Sequence, residues 1–251
     1  MGVKYEVLLR KWNDFFRTRG YTTRIAEIMD SYPDVQSLEV SYPEISIYDE
    51  ELAMELLEQP LRTIPAGEQA LLTFAPQDAV DHFKEIGVKL EIGLRIKELP
   101  PLLSRVEVRN IRLHHLNRFI AIKGLVKNVV QVKPRLYIGA FKCLRCGHET
   151  LEEQGRMEYR EPSQCGSCGK TAGTTKFRLI PEDSTFIDTQ RVEIQESPEE
   201  LRGGEQPQRL TGYLEKEITG KVFPGNKVIL NGTMMATPPR NQRAHPTTFN
   251  I

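Results

Sequence analysis

The sequence predicts an α+β protein of several subdomains, with a helical first part and a β-rich second part that contains a metal-binding insertion. Apolar residues recur at helical spacing up to about residue 100, and beyond it they alternate with polar residues. Four cysteines form two close pairs between residues 143 and 168. With 251 residues, 39% of them hydrophobic, the chain is long enough to bury at least one core.

The first element is expected to be an amphipathic helix that ends at Gly20, because glycine tolerates the left-handed conformation that follows many helices. The apolar residues on one side of this helix are Tyr5, Leu8, Leu9, Trp12, Phe15 and Phe16. A second helix over residues 23–29 is expected to stop near Pro33. This spacing favours a core role for Trp12 over a ligand-binding one.

One short strand and two more helices are expected next. Alternating residues within 37–47 predict the strand, and Asp49 is placed to begin a third helix that runs to about Pro60. A fourth helix is expected over residues 67–86, with a break at Pro76. Together these elements predict an N-terminal helical bundle.

The pair Pro100–Pro101 separates this helical subdomain, residues 1–103, from a segment rich in Val and Ile. Between residues 118 and 135, aliphatic side chains occupy even positions, and the odd positions carry Lys123, Lys127, Lys133 and Arg135. Because successive side chains of a strand point to opposite faces, these four cations are expected to line one side. Pro134 marks the end of the regular strand.

Further strands are expected in the second half of the chain. Apolar Phe177, Leu179, Phe186, Val192 and Ile194 fall opposite the cations Lys176, Arg178 and Arg191. Strands at 210–214 and 227–230 lie on either side of Pro224-Gly225, which has the residue order of a type II turn. Short strands with basic faces are typical of a small Greek-key barrel such as an OB-fold, which we assign to residues 104–141 and 169–251.

The cysteines give the strongest local signal, since each pair has a two-residue spacer and a following glycine, with 18 residues between the pairs. The predicted metal ligands are Cys143, Cys146, Cys165 and Cys168. Four thiolates complete a closed tetrahedral Zn²⁺ site, so we predict a structural zinc ribbon over residues 142–168. Disulfides and a thioredoxin-like motif are the alternatives, and His148 is interpreted as a bystander.

The net charge of zero conceals two oppositely charged parts, because residues 1–100 carry a net −7 and residues 101–251 a net +7. Residues 104–141 hold eight basic side chains and one acid, Glu107. Such a patch favours a polyanionic partner, with a solvated basic surface as the alternative. No apolar run is long enough to span a membrane, and no cleavable signal follows Met1, so a cytoplasmic, nucleoid-associated location is expected.

No catalytic centre can be assembled from the sequence. A phosphate-binding loop is absent, since Gly220-Lys221 is followed by Val222, and neither a nucleophile elbow nor an H-E-x-x-H pair is present. Glutamates at positions 193, 196, 199, 200 and 205 are interpreted as part of a charged, solvated loop. The chain itself is therefore not expected to be an enzyme.

Three phrases resemble the N-terminal region of archaeal-type minichromosome maintenance (MCM) replicative helicases. They are LNRFIAIKGLV at 116–126, QRVEIQESPEE at 190–200 and GGEQPQR at 203–209. The order of helices, basic strands, paired-cysteine insertion and further strands is also similar. The resemblance covers nearly the whole chain and is closer over 104–232 than over 1–100.

The resemblance implies an OB-fold that forms a homo-hexamer or double hexamer around single- or double-stranded DNA. The implied phosphate-binding residues are Lys123, Lys127, Lys133, Arg135, Lys176, Arg178 and Arg191. A hairpin over 234–251 would carry Arg240 and Arg243 near its tip, although three prolines there depart from the family pattern. The loop 196–208 would pass signals to the ATPase domain of a neighbouring subunit. That domain, where ATP and Mg²⁺ would bind, lies outside this chain.

Two other function classes remain open at this point. A stand-alone adaptor made of a zinc ribbon and an OB-fold would bind RNA or a protein partner and would remain a monomer. A zinc-dependent hydrolase would need an open coordination position, which four thiolates do not leave.

Overall fold

The computed structural model describes residues 4–32, 34–85, 90–155, 159–200 and 205–236. The chain divides into two compact units, and both helices and an antiparallel sheet are present, which confirms the α+β class. Unit 1 contains the described residues within 1–128, 193–211 and 224–251, and unit 2 those within 129–192 and 212–223. No helix among the described residues is long and apolar enough to cross a membrane.

Unit 1 begins with helices that pack around a group of aromatic rings. Trp12, Phe15 and Phe16 are fully buried, and the rings of Trp12 and Phe16 stack with centroids 5.3 Å apart. The indole Nε1 of Trp12 donates to the carbonyl of Thr63 at 2.9 Å, so the polar group of the buried ring is satisfied. The core role predicted for Trp12 is confirmed.

The helices and strands of this part follow one another in a fixed order. They are α1 (Tyr5–Thr18), α2 (Thr22–Asp30), β1 (Ser37–Ser41), α3 (Tyr42–Tyr48), α4 (Glu50–Glu58), α5 (Pro60–Leu72), α6 (Gln77–Glu85), β2 (Gly93–Lys97) and α7 (Pro101–Ser104). Gly20 follows α1 with φ +71°, as expected. Asp49 caps α4 by accepting a hydrogen bond from the amide of Leu52 at 2.9 Å.

Two sequence predictions in this part need correction. The strand predicted within 37–47 ends at Ser41, and α3 begins at Tyr42, because Pro43 favours the first turn of a helix. The helix predicted over 67–86 begins earlier, at Pro60, and contains Pro65, but its break near Pro76 is confirmed. Strand β2, which pairs in parallel with β1, was not predicted.

The remaining strands form the antiparallel sheet. They are β3 (Phe119–Val129), β4 (Lys133–Cys143), β5 (Glu149–Glu153), β6 (Phe177–Gln195), β7 (Arg209–Glu215) and β8 (Lys227–Thr233). The strand order is β5-β4-β6-β3-β8, with β7 paired to β6. Gly225 has φ +92°, which confirms the turn before β8. Gly124 allows the close approach of β3 and β6, since an added Cβ would lie 2.5 Å from Ile194 Cγ2.

The single alternating segment predicted over 118–135 is in fact two strands. Strand β3 ends at Val129, and Lys133 begins β4, which pairs with β6 rather than with β3. Pro134 is the second residue of the new strand, where a missing N–H is tolerated, rather than the end of the old strand. The four cations of this segment therefore do not share one strand.

Phe186 was expected in the core with Val192 and Ile194, but it is 45% exposed. Two register shifts in the β4–β6 pairing, on either side of Ile138, break the simple alternation along β6. Val192 and Ile194 are buried as expected.

Candidate metal centre and nucleic-acid interface

The two cysteine pairs lie in two turns that share one backbone pattern. In each turn the amide of the first cysteine, Cys143 or Cys165, donates to the carbonyl five residues later at 2.9 Å. The amides of Gly147 and Gly169 donate back to the carbonyls of these cysteines at 2.9 and 3.0 Å. Both glycines have positive φ, +78° and +66°, which other residues adopt only with strain.

The two turns bring all four sulfur atoms within 4.8 Å of one another. Cys143 Sγ lies 3.9 Å from Cys168 Sγ, and Cys146 Sγ lies 3.6 Å from Cys165 Sγ. A tetrahedral site with metal–sulfur bonds of about 2.3 Å needs sulfur atoms about 3.8 Å apart. The four thiols therefore fit one metal ion, and His148 is not part of the cluster.

Backbone N–H groups favour the thiolate form of the first cysteine in each pair. The amide of Cys146, helped by the Thr175 hydroxyl, lowers the pKa of Cys143 to about 6. The amide of Cys168 likewise lowers the pKa of Cys165. The amide of His148 acts to lower the pKa of Cys146, but burial and the neighbouring thiols raise it to about 11. Four thiolates this close repel one another, so a cation between them is needed to stabilise the charged set.

A second feature, in unit 1, is a lysine face on the ladder formed by β3 and β8. The register places Lys123 opposite Ile229 and Leu125 opposite Lys227, so these four side chains point to the same side as Lys127. Lys123, Lys127 and Lys227 are all exposed. We call these three residues the lysine face. Lys227 was missed in the sequence, although the alternation of the predicted strand 227–230 already put it on an outward position.

Unit 2 carries a second group of predicted cations, which lie on β4, on β6 or directly before β6. Lys133, Lys176, Arg178 and Arg191 are exposed. Arg178 lies directly opposite Lys142, a further cation that pairs with Glu149 at 3.8 Å. These positions present positive charge to solvent along two paired strands.

Arg135 differs from the other predicted cations because protein groups already engage its guanidinium. It pairs with Glu215 at 3.2 Å, and both side chains are only 17% exposed. It also donates to the carbonyl of Leu136 at 3.3 Å. Arg240 and Arg243 lie outside the described residues.

A third feature, also in unit 1, is the place where the two ends of the segment 196–208 are joined. We call the contacts of Glu196 with Arg109 and Gln208 the neck of this segment. Glu196 is 7% exposed, which corrects the interpretation of all these glutamates as solvated loop residues. Its carboxylate accepts from the backbone amide, Nε and Nη2 of Arg109 at 2.9 to 3.0 Å, and from the amide of Gln208 at 2.9 Å. Arg109 also pairs with Glu205. Burial acts to raise the pKa of Glu196, but these donors outweigh it and hold that pKa below its ordinary value.

Comparison with known proteins gives a consistent result over most of the chain. The model of the MCM N-terminal domain matches residues 9–97, and the model of the MCM OB domain matches residues 107–238. The crystal structure of the N-terminal domain of an archaeal MCM is similar, with a TM-score of 0.81 and 33% identity, over 98% of this chain and 95% of that one.

Two curated relatives are much longer than this chain. The "Minichromosome maintenance protein MCM" of Saccharolobus solfataricus is 30% identical over 220 residues, which cover 85% of this chain and 30% of that protein. The "DNA replication licensing factor Mcm6" of Drosophila pseudoobscura pseudoobscura is 28% identical over 253 residues, 99% of this chain and 29% of that protein. The chain thus spans about 30% of the length of these relatives.

Proposed function

The chain belongs to the MCM family, and from this premise we propose that it is the DNA-binding, ring-forming N-terminal region of a replicative helicase. In this proposal homo-hexamers or double hexamers enclose DNA. The observation that carries it is the lysine face of unit 1, where three exposed lysines lie on one side of a two-stranded ladder. Such charges bind phosphates without reading sequence, so affinity falls steeply with salt.

The proposal assigns phosphate contacts to the predicted cations that are exposed. Lys123 and Lys127 on β3, and Lys133, Lys176, Arg178 and Arg191 in unit 2, would each meet a phosphate. Arg135 would contribute least, because Glu215 already neutralises it. Arg240 and Arg243 remain predicted contacts.

The proposed metal is Zn²⁺, held by Cys143, Cys146, Cys165 and Cys168 in a structural role. Bound there, zinc supplies a cross-link between the two turns. The chain's own contribution is to fix the two turns through their glycines and to aim backbone amides at the sulfur atoms.

ATP hydrolysis and unwinding would be performed by a further domain of the whole protein, which is where ATP and Mg²⁺ would bind. The segment 196–208 would pass signals to the ATPase domain of a neighbouring subunit. The Arg109–Glu196 pair holds the neck of this segment, and Glu196 directly follows β6. Movement of the segment would therefore reach a strand to which we assign DNA contacts.

A salt-titrated assay with single-stranded DNA tests the proposal. Reversing Lys127 and Arg178 to Glu should weaken binding and flatten its salt dependence, by about 0.7 in the logarithmic slope for each phosphate that the variant no longer neutralises. The matched control reverses Arg10 and Arg17, exposed residues of α1, and makes the same change in net charge. Equal reductions of affinity in both variants, or none in the first, would place the DNA elsewhere.

A further inference from the structure

Glu199 contacts the lysine face defined above. Both of its carboxylate oxygens lie within hydrogen-bond distance of Lys227 Nζ, at 2.9 and 2.7 Å. Lys227 shares its side of the ladder with Lys123 and Lys127. A carboxylate of the chain itself therefore lies on the face to which we assign DNA binding.

The contact resembles the one a DNA phosphate would make. Carboxylate and phosphate are both oxyanions that accept charge-assisted hydrogen bonds from an ammonium group. Lys227, and less strongly Lys123, lower the pKa of Glu199, so this carboxylate lies in the field of two members of the lysine face. A phosphate at Lys227 and the Glu199 carboxylate would require the same donor group.

The pair is also exposed enough to be exchanged. The side chains of Lys227 and Glu199 are 58% and 74% exposed, and exposed ion pairs are weak and screened by salt. Three residues earlier, Glu196 is buried against Arg109 and Gln208. Glu199 can therefore leave Lys227 while the neck of the segment stays in place.

We propose that Glu199 occupies a phosphate subsite centred on Lys227, so that a phosphodiester of single-stranded DNA displaces it on binding. The inference rests on the proposed function and extends it with a binding residue, Lys227, and a competing one, Glu199. Displacement removes the contact between Lys227 and the turn at Pro198–Glu200. The turn is then in contact with Lys227 when DNA is absent and without this contact when DNA is bound.

Affinities for a fluorescein-labelled oligothymidylate, measured by anisotropy across a range of salt concentrations, test the competition. Glu199→Gln should tighten binding about two- to fivefold at low salt, because the competing charge is removed while shape is kept. The gain should shrink as salt rises. Lys227→Gln should weaken binding, and in that background Glu199→Gln should have little effect. Additive effects of the two substitutions would overturn the proposal.

Glu193→Gln is the matched control, because it removes the same charge from a different pair, with Arg209 at 3.0 Å. An equal gain in this variant would mean that net charge alone is responsible, which overturns the subsite. Hydrogen exchange gives a second readout: DNA should speed exchange of the amides at 199–200 in the parent chain, and no change would overturn displacement. If the parent chain fails to bind the oligonucleotide, the proposed function falls as well, whereas binding without a Glu199 effect removes only this inference.

Discussion

Glu196 and Glu199 lie three residues apart and have opposite surroundings. Glu196 is 7% exposed and holds Arg109, a residue 87 positions away in the chain, whereas the side chain of Glu199 is 74% exposed. The sequence around them, rich in Glu, Pro and Gly, predicts a solvated loop for both. It could not separate them, because burial of Glu196 depends on a distant partner that no local pattern reveals.

Removal of the Glu196 charge should destabilise unit 1. Glu196→Gln removes the negative charge beside the guanidinium of Arg109, which is 28% exposed, and replaces one of the two acceptor oxygens with an NH2 donor. We expect the free energy of unfolding to fall by about 2 kcal/mol. Glu205→Gln is the control, because Glu205 also pairs with Arg109 but is 39% exposed, so the fall in this variant should be smaller. Urea denaturation followed by circular dichroism measures both.

The same pair gives a pH dependence with a definite sign. The pKa of Glu196 is lower in the folded chain than in the unfolded one, where it is about 4.3. Its stabilisation is therefore complete at neutral pH and is lost as the pH falls below about 4.3, through the folded pKa. The difference in the free energy of unfolding between the parent chain and Glu196→Gln should become smaller as the pH falls through that range. If this difference in the free energy of unfolding stayed constant down to pH ~3, the charge of Glu196 would not be the cause of the stabilisation.

Elements with a strong local pattern were predictable, and those set by distant pairing were not. Three features could be predicted from residues close together in the sequence. They are the aromatic spacing of α1, the Asp49 cap of α4 and the paired cysteines. In contrast, the end of β3 and the start of β4 depend on which strand each one pairs with. The period-2 pattern continues across residues 130–132, so it could not reveal the break.

At the same scale, the two cysteine turns should depend on metal. We expect about one Zn²⁺ per chain, four thiols protected from alkylation, and faster proteolysis within 143–176 after chelation, because metal binding supplies folding free energy to such turns. Cys168→Ser should lose the metal, whereas Ser167→Ala, inside the same turn, should keep it. The helices α1 to α5 contribute to a core that is separate from the cluster around Cys143 and Cys165, and they should stay folded. Alkylation of all four thiols in the untreated chain would exclude the site.

At the scale of the whole chain, the sequence predicted three parts, a helical subdomain, a zinc ribbon and an OB-fold, and this division stays a prediction. Spatial proximity groups the residues differently, since unit 1 joins the helices to β3 and β8. The reason is the pairing of 119–125 with 227–233, which brings together segments more than 100 residues apart. A change in composition, such as the one at Pro100–Pro101, predicts a domain boundary but does not show which distant segments pair with each other.

Assembly is the remaining test at this scale. A closed ring of identical chains needs a heterologous contact, in which two different surfaces of the chain meet. The opposite charges of residues 1–100 and 101–251, −7 and +7, allow unlike surfaces of neighbouring copies to attract each other. Light scattering at micromolar concentration should therefore give a mass of six or twelve copies of the 28.7 kDa chain. Because salt screens this attraction, higher salt should shift the mass downward. Monomers at every salt and protein concentration would instead favour an adaptor that binds its partner as a single chain.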